Sequence, residues 1–293
     1  MSLLWKRYRK LMKKARKEDK MNNTPLSLEE VKKIEFNILC EFASFCDTNN
    51  LKYYLGYGTL LGAVRHKGFI PWDDDIDVLM PRPDYDNFIK LTGYNPIKPN
   101  LETRLYRDCS HPNIYPFAKV VDTSTIVYEK GKAKKNISGL WIDIFPLDGY
   151  PEDRTAAQNL FNKYKTLRNF QDLATTCPMV VKQSIVKKIV KTIFIAPFVK
   201  LYGINKICRK IDLLSQTYSF AECDKVSDFT WGDNIDSYLL KSELEPSVEV
   251  EFEGRNFKAP AGWKQYLERL YGDWTQLPPE NQRIPHGFEA YSL

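Results

Sequence analysis

The chain has 293 residues, 43% hydrophobic and 13% aromatic, with a net charge of +6. That length suits one large domain or a core with a sizeable insertion, and the composition excludes a disordered chain. Six cysteines without a Cys-x-x-Cys pair, and three histidines outside metal-ligand spacing, exclude a zinc site and a disulfide framework; they point to reduced thiols in the cytosol.

The first segment, residues 1–24, is a basic amphipathic arm. Residues 1–20 hold nine Lys/Arg against Glu18 and Asp19, which leaves the rest of the chain near neutrality. An excess confined to a terminus argues against nucleic acid as the partner. The arm lacks the apolar stretch of a secretion signal. It is either a solvated helix or one lying on an anionic membrane, with Leu3, Leu4, Trp5, Tyr8, Leu11 and Met12 toward lipid.

Residues 25–150 carry the densest signals. Ser27-Leu-Glu-Glu30 forms a capping box, and Val31, Ile34, Ile38, Leu39, Phe42 and Phe45 recur at helical spacing up to Asn49. Leu51–Leu55 reads as a strand, Gly56-Tyr-Gly58 as a sharp turn and Thr59–Arg65 as a short helix. Asp75–Met80 is expected to be a second strand, and Pro83 to open another helix. Further strands are expected at 101–107, 117–122, 126–128 and 140–145. Residues 151–245 read as a mostly helical, basic insertion. Within it, 179–210 holds eight Lys/Arg and no acid, and the apolar run 193–199 is too short to span a bilayer. Contact with a membrane interface is favoured over ordinary core helices with exposed lysines. Residues 246–293 read as a hairpin turning at Gly254, a helix ending at Gly272, and an irregular tail, packing on the core.

The chemistry concentrates in Trp72-Asp-Asp-Asp-Ile-Asp-Val78. On a strand, alternate side chains share a face, so Asp75 and Asp77 point one way while Ile76, Val78 and Met80 pack the other. Neighbouring carboxylates repel unless a cation sits between them, and oxygen-only ligands suit Mg²⁺ or Mn²⁺. Asp73 and Asp74 are expected to shape the loop or support the ligands. Asp143 lies in the apolar run 139–147, where a carboxylate needs a partner; beside the Asp75 strand it completes a three-carboxylate cluster. Asp148, past Pro146, reads as a loop residue. Gly58 permits close backbone approach, and Thr59 opens a helix whose free N–H groups attract phosphate. Arg65, Lys67 and Lys119 are the available cations, with Lys119 on its apolar strand the strongest.

Tyr54–Arg82, Trp141–Asp148, Tyr271-Gly-Asp-Trp274 and Leu277-Pro-Pro-Glu280 with Arg283 and His286 together resemble the LicD family of phosphotransferases, within the nucleotidyltransferase superfamily. The resemblance spans about residues 30–290 and thins over 152–245; Thr59 stands where the wider superfamily has Ser. It implies an α/β (α+β) fold with a nucleotidyltransferase-like core, a mixed sheet flanked by helices. It also implies transfer of a phospho-substituent, typically phosphocholine from CDP-choline, to a sugar hydroxyl on a cell-surface glycan such as teichoic acid or lipopolysaccharide, or on its lipid-linked precursor. Related members resemble ribitol-phosphate or mannosyl-phosphate transferases, so the donor stays open. On this basis Asp75 and Asp77 bind Mg²⁺, and Asp143 shares a second metal or acts as base. Gly58, Thr59 and nearby cations hold phosphate, and Arg283 and His286 contact substrate. The expected location is cytoplasmic, peripheral at the inner face of the membrane. The alternatives are a nucleotidyltransferase acting on another small molecule or protein, and a non-catalytic membrane-associated scaffold.

Overall fold

The computed structural model describes residues 24–93, 95–107, 113–129, 138–175, 196–232, 235–284 and 287–293. The amphipathic arm up to residue 23, the basic stretch 179–195 and His286 lie outside them.

The capping box forms as expected. The Glu30 N–H donates to Ser27 Oγ (3.3 Å) and the Ser27 N–H to Glu30 Oε2 (2.8 Å), opening α1 (Leu28–Thr48). Its buried stripe of Val31, Ile38, Leu39, Phe42 and Cys46 covers one face of a mixed sheet. Then come β1 (Tyr54–Leu55), α2 (Tyr57–His66), β2 (Asp77–Pro81), α3 (Arg82–Thr92), β3 (Leu101–Arg104), β4 (Ala118–Glu129) and β5 (Ser138–Tyr150). The insertion contributes α4 (Arg154–Thr175), α5 (Ala196–Tyr202), α6 (Ile204–Ser215), β6 (Lys225–Ser227), β7 (Leu239–Leu240) and α7 (Lys241–Leu244). The hairpin β8 (Val248–Phe252) and β9 (Arg255–Ala259), α8 (Trp263–Tyr271) and β10 (Phe288–Ser292) complete the chain.

The sheet runs β1-β2-β5-β4-β10, with β3 on β4, β6 on β5 and β7 on β6. Among the described strands only β2 and β5 pair in parallel. The strand expected from Asp75 begins at Asp77, and the helix expected from Thr59 begins at Tyr57, whose φ is +41°. The segments expected at 117–122 and 126–128 are one strand with a bulge between Asp122 and Val127. Gly139 permits it, since a Cβ there would lie 1.9 Å from the Asp122 carbonyl oxygen. β10 follows the segment 277–286 that reads as irregular.

Asp148 is a correction. The expected loop is strand: β5 passes through Pro146 and reaches Tyr150. Pro146 falls between the end of β4 pairing at Ile144 and the start of β6 pairing at Asp148, where a missing N–H costs nothing on that side. Asp148 is 1% exposed and takes a two-point contact from Arg82, with Nε–Oδ1 at 2.7 Å. Arg82 also reaches Asp212 and Ser215 on α6, and Asp212 accepts from the Tyr106 hydroxyl and from Arg107. This network ties the insertion to the end of the parallel strand pair. A second apolar cluster, centred on Tyr150, Tyr164, Ile207, Ile211 and Phe229, packs α4 against α6. Among the described residues, no helix is long and apolar enough to cross a membrane.

Candidate active site

The parallel register places Asp77 of β2 opposite Asp143 of β5, and the antiparallel register places Asp143 opposite Lys119 of β4. Three neighbouring strands therefore present two carboxylates and one ammonium in a row. Lys119 Nζ lies 3.0 Å from Asp143 Oδ1 and stands over the Trp141 and Tyr115 rings, 3.8 and 4.3 Å from their centres. The row opens into a cleft of about 590 Å³.

Asp73, Asp75 and Asp77 all line this cleft, while Asp74, Ile76 and Val78 are buried away from its wall. The alternation thus extends back through the loop, and Asp73 joins the face expected of Asp75 and Asp77 alone. Gly58 also lines the cleft. A Cβ on it would stand 2.8 Å from Asp73 Oδ2, so its bareness leaves room for that carboxylate. Thr59 is 3% exposed; its hydroxyl accepts from the Asp77 N–H at 2.8 Å and fixes the first turn of α2 to the start of β2.

The other expected cations do not join the row. Arg65 donates to the Trp274 carbonyl at 2.8 Å, and Lys67 is the exposed left-handed cap of α2. Arg283 donates to the Pro278 carbonyl and stands over the Trp72 ring. Among the described lining residues the cleft counts five carboxylates, Asp73, Asp75, Asp77, Glu129 and Asp143, against Lys119.

That imbalance shapes the titration. Burial first, then repulsion from Asp75, Asp143 and Asp73, pushes the Asp77 carboxyl well above the usual range. Burial also raises Asp143, with Lys119 pulling it back. Glu35 of α1 is 1% exposed and is pushed well up by burial, then by Asp75 and Asp74; its Oε2 has no hydrogen-bond partner. Its signal was in the sequence: Glu35 interrupts the apolar stripe Val31–Ile38–Phe42 of α1. Asp228, after β6, had no such signal. It accepts from the Tyr57 hydroxyl (3.0 Å) and from the Thr230 N–H (2.7 Å), and burial lifts it to about 6.

A divalent cation fits this donor set in kind, since the carboxylates are oxygen ligands whose mutual repulsion it would relieve. Among the described residues no three His, Cys, Asp or Glu side chains converge as a ready-made cage, and Asp143 is engaged by Lys119. Mg²⁺ does not require such a cage: one or two carboxylates suffice when substrate phosphates and water complete the shell. Asp75 and Asp77 meet that requirement.

Residues 50–180 match the family described as LicD/FKTN/FKRP, nucleotidyltransferase domain. The chain is 32% identical over 276 residues to the lipopolysaccharide cholinephosphotransferase LicD of Haemophilus influenzae, covering 92% of this chain and 99% of that protein. It is 34% identical over 119 residues to an uncharacterised Rickettsia typhi protein, covering 40% of this chain and 34% of that one. A Rickettsia prowazekii protein, also uncharacterised, is 32% identical over 151 residues, 48% of this chain and 53% of its own length.

Proposed function

The chain belongs to the LicD family of phosphotransferases, and from that premise we propose that it transfers phosphocholine from CDP-choline to a sugar hydroxyl of lipopolysaccharide, of another cell-surface glycan or of a lipid-linked precursor. The observation that carries this is the match to a cholinephosphotransferase across 92% of the chain rather than the nucleotidyltransferase domain alone.

In the proposed step the acceptor oxygen bonds to the choline-bearing phosphorus. The bond from that phosphorus to the CMP oxygen breaks, and CMP leaves with the electron pair. Asp143 accepts the acceptor's proton at Oδ2, the oxygen not paired with Lys119. Lys119, held by its aromatic neighbours, offsets the phosphate charge. Gly58 keeps the approach to the phosphates open. Asp75 and Asp77 would hold Mg²⁺ or Mn²⁺, which supplies positive charge to the donor pyrophosphate.

The test is incubation with CDP-choline, Mg²⁺ and a lipopolysaccharide or teichoic-acid acceptor. CMP should be released, the acceptor should gain the mass of one phosphocholine, and EDTA should stop both. Pyrophosphate from CTP, with no CMP from CDP-choline, would make the chain a nucleotidyltransferase instead.

Peripheral contact with the inner face of the membrane belongs to the same proposal. On α5, Phe198 is 74% and Leu201 85% exposed, and Lys206 and Lys210 of α6 gather over Tyr202 beside them. Apolar residues next to cations suit an anionic interface. The protein should float with anionic but not neutral liposomes, and Phe198→Ser with Leu201→Ser should weaken that; equal flotation of the double variant would remove this face from the proposal.

A further inference from the structure

We propose that the Tyr271 hydroxyl donates a hydrogen bond to a phosphate oxygen of the nucleotide donor, and that Arg65 is a positioning residue that fixes the turn presenting Tyr271 to the cleft. The inference deepens the donor assignment above and rests on it for the identity of the phosphate.

A phosphate entering a cleft lined by Asp73, Asp75 and Asp77 needs hydrogen-bond donors as well as cations. Lys119 is ion-paired with Asp143. Tyr57, Tyr115 and Tyr271 are the tyrosines among the described lining residues. The Tyr57 hydroxyl donates to Asp228 at 3.0 Å and the Tyr115 hydroxyl to Glu129 at 2.7 Å, so both are committed. Tyr271 is half-exposed, and among the described residues none accepts from its hydroxyl. Burial, then the charges of Asp77, Asp73 and Asp75, hold that hydroxyl above the usual phenol range. It is a neutral O–H on the acidic wall, and a phosphate oxygen is the acceptor that a nucleotide brings there. The bond leaves the proton on Tyr271.

The chain around Tyr271 is built to hold it in place. Tyr271 ends α8, and Gly272 turns the backbone at φ +67°. Trp274 packs back on Trp263 of α8, with ring centres 5.8 Å apart. Arg65, in the last turn of α2, donates through Nη1 to the Trp274 carbonyl at 2.8 Å and the Gln276 carbonyl at 3.3 Å. One short helix therefore sets Gly58 at the cleft from its first turn and fixes the Tyr271 turn from its last. The Arg65 guanidinium serves backbone geometry, and its effect on a phosphate passes through Tyr271.

The test is calorimetric titration of the full chain with CDP in the presence of Mg²⁺, beside thermal midpoints and CMP release from CDP-choline. Tyr271→Phe keeps the ring and should weaken CDP binding about tenfold, the scale of losing one hydrogen bond to a charged group, with the midpoint unchanged. Arg65→Gln should weaken CDP binding about threefold in the wild-type background and not at all in the Tyr271→Phe background. No CDP binding by the wild type, an unchanged affinity in Tyr271→Phe, or a loss matched by a fall in its midpoint overturns the contact. An equal loss from Arg65→Gln in both backgrounds overturns the positioning role. Weaker CDP binding by Tyr271→Phe, while the wild type releases no CMP from CDP-choline, upholds the contact and rejects the choline-bearing donor.

Discussion

The parallel pair β2–β5 carries buried charge at both ends, and the two ends differ in kind. At the start, Asp77 faces Asp143, like against like, with one ammonium beside them. Five residues further on, Arg82 at the start of α3 meets Asp148 of β5, with the guanidinium bonded on two sides and Asp212 and Ser215 also accepting from it. The second cluster pairs opposite charges among buried side chains and holds the insertion on the core. The first is mismatched and opens to a cleft. Burial of compensated charge is an architectural device here, while the surplus of carboxylates at the other end marks it as the candidate ligand site.

Substitutions that separate activity from stability sharpen this contrast. Asp77→Asn should lower the rate of CMP release roughly 10³-fold, the scale of losing a group that stabilises transition-state charge. Its thermal midpoint should stay the same or rise, because the change removes repulsion. A fall in the midpoint matching the fall in rate would make Asp77 architectural and break the comparison. Arg82→Ala should do the reverse. It strands Asp148, whose side chain is 1% exposed, and costs about 3–5 kcal/mol in denaturant unfolding. Joint replacement Arg82→Met with Asp148→Leu should recover most of that loss, since Asp212 keeps Tyr106 and Arg107.

The mismatched end was the legible one. An alternating run of acids leading into Ile76, Val78 and Met80 announces a strand with a charged face, and a lone acid in 139–147 announces its neighbour. The structure brings Asp73, Asp75, Asp77, Asp143, Lys119 and Gly58 to one cleft. The matched end was hidden because its partners come from distant segments: nothing near Asp148 points to Arg82, and Pro146 argued for a loop. Long-range pairing hid Glu129, Phe288 and Asp228 in the same way. Arg65, expected as a cation for phosphate, and Arg283, expected from the resemblance to contact substrate, donate to the backbone carbonyls of Trp274 and Pro278. β10 was missed because its Pro-rich approach reads as irregular and its pairing is with β4, far back in the chain.

Asp228 sits between the two cases. It is 3% exposed and accepts hydrogen bonds from Tyr57 and Thr230, but it has no ion pair among the described residues. Burial outweighs those donors and lifts it from 3.8 to about 6. Below pH 3.8 both folded and unfolded chains hold the proton, and the group costs nothing. As pH rises from there to 6 the unfolded chain ionises first, so the folded state loses about 3 kcal/mol, and the loss is complete above 6. Asp228→Asn cannot ionise and keeps an acceptor for Tyr57 and Thr230. Its stability relative to wild type should therefore climb by about that amount between pH 4 and 7, read as the difference in urea midpoints. A difference that stays flat with pH would mean the three hydrogen bonds compensate the charge fully, which would move Asp228 to the matched side. A climb keeps it with the carboxylates of the cleft, and the Tyr57 hydroxyl, which anchors the turn before Gly58, donates more strongly to Asp228 once it ionises.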